Sequence, residues 1–174
     1  MTVSEAIEIR RSIRKYKDTP VEDSLLLEVV RAGMMAPNGE GKQAWHFIVL
    51  KDRKKILELE AAIRKYMGEN TGENYKPLFS APAVILPCGD YSTRWAMADC
   101  SLAAQNMALK AVELGLGTCF VGFPGSVFRN AELCHCYDGY PIPEGYDVMF
   151  GLTIGYPDEA PAPRKRDFSK VSFL

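Results

Sequence analysis

Apolar positions recur along this chain with two different periods, and the pattern predicts helices and strands in alternation. A first helix begins near Val3. Thr19-Pro20 punctuates the chain, and residues 22–35 then carry Leu25, Leu26, Val29 and Val30 at helical spacing until Pro37-Asn38-Gly39 stops them. Trp45-His46-Phe47-Ile48-Val49-Leu50 reads as a buried strand, and Asp52 as the N-cap of a charged amphipathic helix reaching about Met67. Residues 68–76 are polar and rich in Gly and Asn, which suits a loop beside a site. Further strands are expected at 82–86, 117–122 and 147–155, the first of them ended by Cys88-Gly89-Asp90. Further helices are expected at 93–114 and 126–137, with Gly115 as the left-handed stop of the former. Such alternation favours an α/β or α+β layered domain over a bundle or a sandwich.

The 93–114 helix changes the picture most. Ala98, Leu102, Gln105, Leu109 and Val112 form one stripe, but Cys100, Ala103, Ala104, Met107, Ala108 and Ala111 make its other faces nearly as apolar. A helix apolar all round is buried all round. In a chain of 174 residues that calls for a second subunit, and the alanines permit close helix packing. After the last strand, Pro157, Pro161 and Pro163 predict a stiff extended tail.

Composition supports a folded unit spanning 1–174, with 47% hydrophobic and 25% charged residues. No apolar stretch is long enough to span a bilayer, and residues 1–11 lack a secretion-type apolar region, so a cytoplasmic protein without a membrane partner is expected. Five cysteines at irregular spacing do not make a disulfide framework. Cys134-His135-Cys136 lacks the second ligand pair of a zinc site, and Cys88, Cys100 and Cys119 sit singly in apolar segments, so no metal is expected. His46 has no base or nucleophile beside it in the sequence and is read as structural.

Charge supplies the candidate chemistry. The net charge is only −1, yet Arg10-Arg11-Ser12-Ile13-Arg14 and Pro163-Arg164-Lys165-Arg166 are compact basic knots. Two knots in a near-neutral chain suit one small, doubly charged anion such as a phosphate monoester and not a nucleic acid. The plainer alternatives are that residues 10–15 finish the first helix by bonding its last carbonyls, and that 164–166 are simply solvated. Neither G-x-G-x-x-G nor G-x-x-x-x-G-K-[ST] occurs, so side chains would have to hold the phosphate.

Four stretches in order resemble the FMN-dependent nitroreductase family: residues 10–16, residues 36–49, the helix and turn of 98–117, and Gly155-Tyr156-Pro157 with Arg164 and Arg166. The resemblance implies an α+β fold, a mixed central sheet flanked by helices, and an intertwined homodimer with the long apolar helix at its interface and two FMN sites between subunits. It implies that Arg10, Arg11, Ser12 and Arg14 bind the ribityl phosphate and ring edge, and that Arg164 and Arg166, on a tail (157–174) shared by cofactor site and dimer, reach the same phosphate. Pro37, Asn38 and Gly39 match a loop that reaches the flavin across the dimer. Gln43 lies in the same stretch. Leu116, Gly117 and Thr118 match the turn whose main chain lies against the ring, and Asn74 is a candidate for its pyrimidine edge. The chain departs from the family pattern at Asn38, where a small Ser is usual, and at Gly41-Lys42-Gln43-Ala44-Trp45, where Asn-x-Gln-Pro-Trp is usual.

The implied activity is an NAD(P)H-dependent FMN oxidoreductase reducing electron-poor small molecules such as nitroaromatics and quinones by a ping-pong hydride mechanism. The chemistry belongs to flavin N5, so no catalytic side chain is expected. Arg14 or Lys42 is the candidate cation near flavin N1, and Tyr66, Tyr75, Tyr91 and Trp95 are candidates to cover the acceptor, with packing the alternative. Another FMN reaction, such as dehalogenation or dehydrogenation, and a flavin-binding protein without turnover are the competing readings.

Overall fold

The computed structural model describes residues 1–68, 71–72, 74–133 and 139–174. Its elements in chain order are α1 (Val3–Ile9), α2 (Asp23–Met34), β1 (Trp45–Leu50), α3 (Arg53–Met67), β2 (Ala83–Asp90), α4 (Ala96–Glu113), β3 (Gly117–Val121), α5 (Phe123–Phe128), β4 (Tyr146–Val148) and β5 (Gly151–Gly155). The fold is α+β. The sheet runs β1-β2-β5-β3, with β4 paired to the far end of β2. Among the described residues every ladder is antiparallel, and the parallel component is one isolated bridge, Ser12 to Thr118.

Both faces of the sheet are covered. Ala83 and Ile85 of β2 pack with Leu152 and Ile154 against α2 and α4. The intervening Val84, Leu86 and Cys88 face α3 and α5 with Ile48, Val121 and Val148. This double coverage explains why β2 reads as a continuous apolar run instead of an alternating one. Burial pushes the Cys88 and Cys100 thiols up to about 12, so both are inert core groups.

Local signals set several boundaries. Thr2 and Glu5 close a capping box on α1, and the Asp52 carboxylate accepts the N–H groups of Lys54 and Lys55 at the start of α3. Elsewhere pairing overrides the local pattern. β2 continues four residues past Leu86 because Cys88, Gly89 and Asp90 pair with Val148, Asp147 and Tyr146. The expected 147–155 strand is split: Tyr146–Val148 pairs with β2, and β5 begins again at Gly151 after Met149 N–H has bonded the Pro87 carbonyl. The helix expected at 126–137 instead starts at Phe123, with Pro124 in its first turn, and ends at Phe128. Cys134-His135-Cys136 lies outside the described residues.

α4 is not buried on all sides within one chain. Ala103, Ala104, Met107 and Ala108 are in the core, whereas Ala98, Leu102 and Gln105 are exposed, Leu102 at 46%. Among the described residues no helix is long and apolar enough to cross a membrane, and no group of three or more His, Cys, Asp or Glu could hold a metal ion.

Candidate functional site

The first basic knot starts at the helix end and runs on past it. α1 stops at Ile9, Arg10 leaves it with φ −55° and ψ 128°, and the chain continues extended beside β3. Ile13 N–H donates to the Thr118 carbonyl at 2.9 Å, and the Tyr16 hydroxyl reaches the Ile13 carbonyl and Thr153 Oγ1, each at 2.7 Å. Extended backbone alternates its side chains. Buried Ile13 packs on Gly117, where a Cβ would stand 2.5 Å from Ile13 Cγ1, and Arg10, Ser12 and Arg14 take the opposite side.

The tail is drawn to the same place by a short antiparallel strip. Lys17 N–H donates to the Tyr156 carbonyl and Asp158 N–H to the Lys15 carbonyl, both at 2.9 Å, with a bridge between Tyr16 and Pro157. Lys15 and Asp158 add an ion pair at 2.8 Å that lowers the Asp158 carboxyl and raises the Lys15 ammonium from their ordinary values, chiefly through their mutual hydrogen bond. Beyond the strip the tail runs on past the first knot, so that Arg10, Arg11, Ser12 and Arg14 share a cleft of about 200 Å³ with Pro161, Ala162, Arg164 and Arg166. Among the described residues, the guanidinium groups of Arg10, Arg164 and Arg166 make no hydrogen bond or ion pair to protein. Arg11 differs: its Nη1 donates to the Glu8 carbonyl at 2.6 Å and the Arg10 carbonyl at 2.8 Å. It caps α1 as the plainer alternative expected, while still lining the cleft. Arg14 lies 5.9 Å from the Phe79 ring centroid.

Arg10 and Ser12 also line a second cleft, of about 280 Å³, with Thr118, Ser101, Ala104, Gln105, Ala108, Phe120 and Leu152. The two clefts therefore adjoin, one cationic and the other bounded by small or apolar side chains. Sequence reasoning missed Ser101, Gln105 and Phe120. Their signals were present in the small or polar residues at helical spacing within an apolar helix, and in an aromatic on a short strand that remains 53% exposed over Phe150.

Other expected residues lie elsewhere. Leu116 and Gly117 line a third cleft on the Arg11 and Ile13 side, and the space at Gly117 is filled by Ile13; of the expected turn, Thr118 is the residue that shares the cleft with Arg10. Pro37, Asn38 and Gly39 are not brought to the arginines within one chain. They line a separate cleft of about 470 Å³ with Trp95, Ala98, Asp99 and Leu102. Asn38 braces this loop, its Oδ1 accepting Gln43 N–H at 2.8 Å, while Gly39 N–H donates to both oxygens of buried Asp99, at 3.0 and 3.1 Å. Glu40 and Gln43 hold positive φ, and Lys42 is paired to Glu40 at 2.6 Å. Trp95 packs over Gly39 and carries the Arg94 guanidinium 4.6 Å from its ring centroid, while Tyr91 accepts from Arg129. Asn74, Tyr66 and Tyr75 are exposed.

The structure is thus a helix-covered α+β sheet with the two basic knots gathered at its rim. The nitroreductase family model matches residues 7–156, and the chain belongs to that family. It is 35% identical over 169 residues to a Methanothermobacter thermautotrophicus protein provisionally named NADH dehydrogenase/NAD(P)H nitroreductase, covering 94% of this chain and 82% of that one. It is 27% identical to the NADPH-flavin oxidoreductase of Vibrio harveyi, covering 93% of this chain and 68% of the relative. Among solved structures, a Desulfitobacterium hafniense nitroreductase with bound FMN superposes with a TM-score of 0.89 at 26% identity, over 100% of this chain and 99% of the other.

Proposed function

We propose that this protein is an FMN-dependent oxidoreductase that takes reducing equivalents from NAD(P)H and passes them to electron-poor small molecules such as nitroaromatics and quinones, donor and acceptor using the site in turn. The observation that carries the reading is the meeting of the two basic knots in one cleft, with three guanidiniums that have no acceptor among the described residues. Crowding cations at one solvent-exposed cleft without counter-charge costs mutual repulsion, which an anion bound among them would relieve. The names of the relatives point to the same cofactor and donor.

The residues present fit FMN. Arg10, Ser12, Arg14, Arg164 and Arg166 would hold the phosphate, and the adjoining cleft under Phe120, Ala104 and Ala108 offers flat, weakly polar walls to a ring. Bound FMN supplies two-electron storage and hydride acceptance at its own ring, which is why no catalytic side chain is required. The chain's residues orient the cofactor, neutralise its phosphate and shape one open face. Arg14 remains the candidate cation at the ring edge.

A homodimer belongs to this reading. Exposed Ala98 and Leu102 of α4 line one cleft with the loop of Pro37, Asn38 and Gly39, so a partner seated there would receive that loop. The 157–174 tail, within one 1–174 unit, would then serve both cofactor and partner. The test is a visible absorption spectrum after loading with FMN and desalting, repeated anaerobically with NADH and NADPH. Retained flavin bands that bleach with a nicotinamide are expected, and no retained flavin overturns the proposal. Flavin that is retained but not bleached by either nicotinamide would favour binding without turnover.

A further inference from the structure

The tail carries a carboxylate where an anion site has least use for one. Glu159 lines the cleft that borders the arginines on the Arg11 side, and a negative charge there opposes binding of another anion. Its Oε1 is not bonded to a guanidinium. It accepts the backbone N–H of Arg14. It is also the last anchor of the strip formed by Tyr156, Pro157 and Asp158 against Lys15, Tyr16 and Lys17.

The residues after Glu159 explain the placement. Positions 160–163 read Ala-Pro-Ala-Pro, and then comes Arg164. Proline-alternating chain is stiff and advances about 3.1 Å per residue, so the direction set at Glu159 is carried about 15 Å to Arg164 with little loss. A flexible tail would make the anchor irrelevant, and a stiff one makes it decisive.

We propose that Glu159 is a positioning residue, which locks the tail to the Arg14 backbone so that Arg164 and Arg166 arrive at the anion held by Arg10 and Arg14. The proposal rests on the FMN reading of the same cleft. Charge and positioning predict opposite signs. As a charge alone, Glu159 weakens FMN binding, and its removal tightens it; as an anchor, its removal weakens binding.

FMN affinity would be measured by quenching of flavin fluorescence for the wild-type protein, Glu159→Gln and Glu159→Ala. Each variant would be made with the native tail arginines and again with Arg164→Ala/Arg166→Ala. Glu159→Ala is expected to bind about 5–10-fold more weakly, the effect of one lost hydrogen bond. Glu159→Gln, which keeps an acceptor oxygen without the charge, is expected to bind as the wild type or tighter. In the double-arginine background the loss caused by Glu159→Ala is expected to vanish. Glu159→Ala binding as tightly as the wild type overturns the proposal, as does Glu159→Gln losing as much as Glu159→Ala. An undiminished loss in the double-arginine background also overturns it, because Glu159 then acts by another route. A wild-type protein that binds no FMN overturns the parent reading as well.

Discussion

At the arginine cleft, Arg10, Arg164 and Arg166 line one cavity with no carboxylate among the described residues bonded to them, whereas under residues 37–40 buried Asp99 has both oxygens on the Gly39 N–H. The first region is built from side chains about 150 positions apart and is electrostatically incomplete. The second is built around one turn, satisfies its own polar groups through Asn38 and Asp99, and accepts positive φ at Glu40 and Gln43 to do so. An unfinished site gives up some stability of the empty protein in exchange for binding, while a self-satisfied loop fixes a shape independently of ligand. Substitutions in the first region should therefore act on binding, and those in the second on stability.

The largest effect should come from removing the unpaired cations. Arg10→Ala/Arg164→Ala/Arg166→Ala is expected to weaken FMN binding by at least 10²–10³-fold, since each charge-assisted hydrogen bond is worth about 1.5–3 kcal/mol. The salt dependence of binding should flatten, and the thermal midpoint of the FMN-free protein should hold or rise as repulsion is relieved. Titration at two ionic strengths with calorimetry checks both. A lower midpoint in the FMN-free triple variant would mean that the arginines stabilise the fold and the contrast between regions fails.

Gly117→Ala tests the wall shared by the knot and β3. Its Cβ would meet Ile13, which is 7% exposed and has nowhere to move, so about 1–3 kcal/mol of stability should be lost in urea unfolding, with weaker FMN binding alongside. Asp99→Ala leaves the Gly39 N–H without its acceptor and should cost about 1–3 kcal/mol, while Asp99→Asn, which keeps an oxygen, should cost less than half of that. The salt dependence of FMN binding should be unchanged in both Asp99 variants; a change would join the two regions electrostatically.

The smallest effect belongs to the exposed Lys15–Asp158 pair. Lys15 holds the Asp158 carboxyl below its ordinary value near 3.8, so the pair's contribution is present above that pH and is lost as pH falls through the lowered value. Lys15, raised above 10.5, loses its share only as pH rises through its own raised value. Asp158→Asn should slightly flatten the fall of the thermal midpoint between about pH 5 and 2 and leave the neutral range nearly unchanged.

Much of the scaffold was legible in local signals. β1 and α3 begin and end where the Trp45–Leu50 run and the Asp52 cap place them, because those signals act within one turn or one strand, but β1 is an edge strand with His46 and Val49 exposed and not the buried strand expected. β2 and the β4–β5 break were not legible, since partners more than fifty residues away set their ends. The site divides in the same way. The two knots stand out by residue type alone, yet whether a given arginine faces the cleft depends on backbone direction, and Arg11 turns back to the Glu8 and Arg10 carbonyls. Gly117 needs its missing side chain as expected, but for Ile13.

The sequence alone was enough to tell which residues carry charge, which helix is apolar on more than one face, and which family the pattern resembles. These are properties of side chains and short spacings, present before any folding. Only the tertiary structure decided that residues 10–14 run extended beside β3, that the 14–17 and 156–159 strip returns the tail to them, and that Ser101, Gln105 and Phe120 border the same space. Those outcomes depend on sheet register and on backbone pairing between distant segments, and no local pattern encodes either.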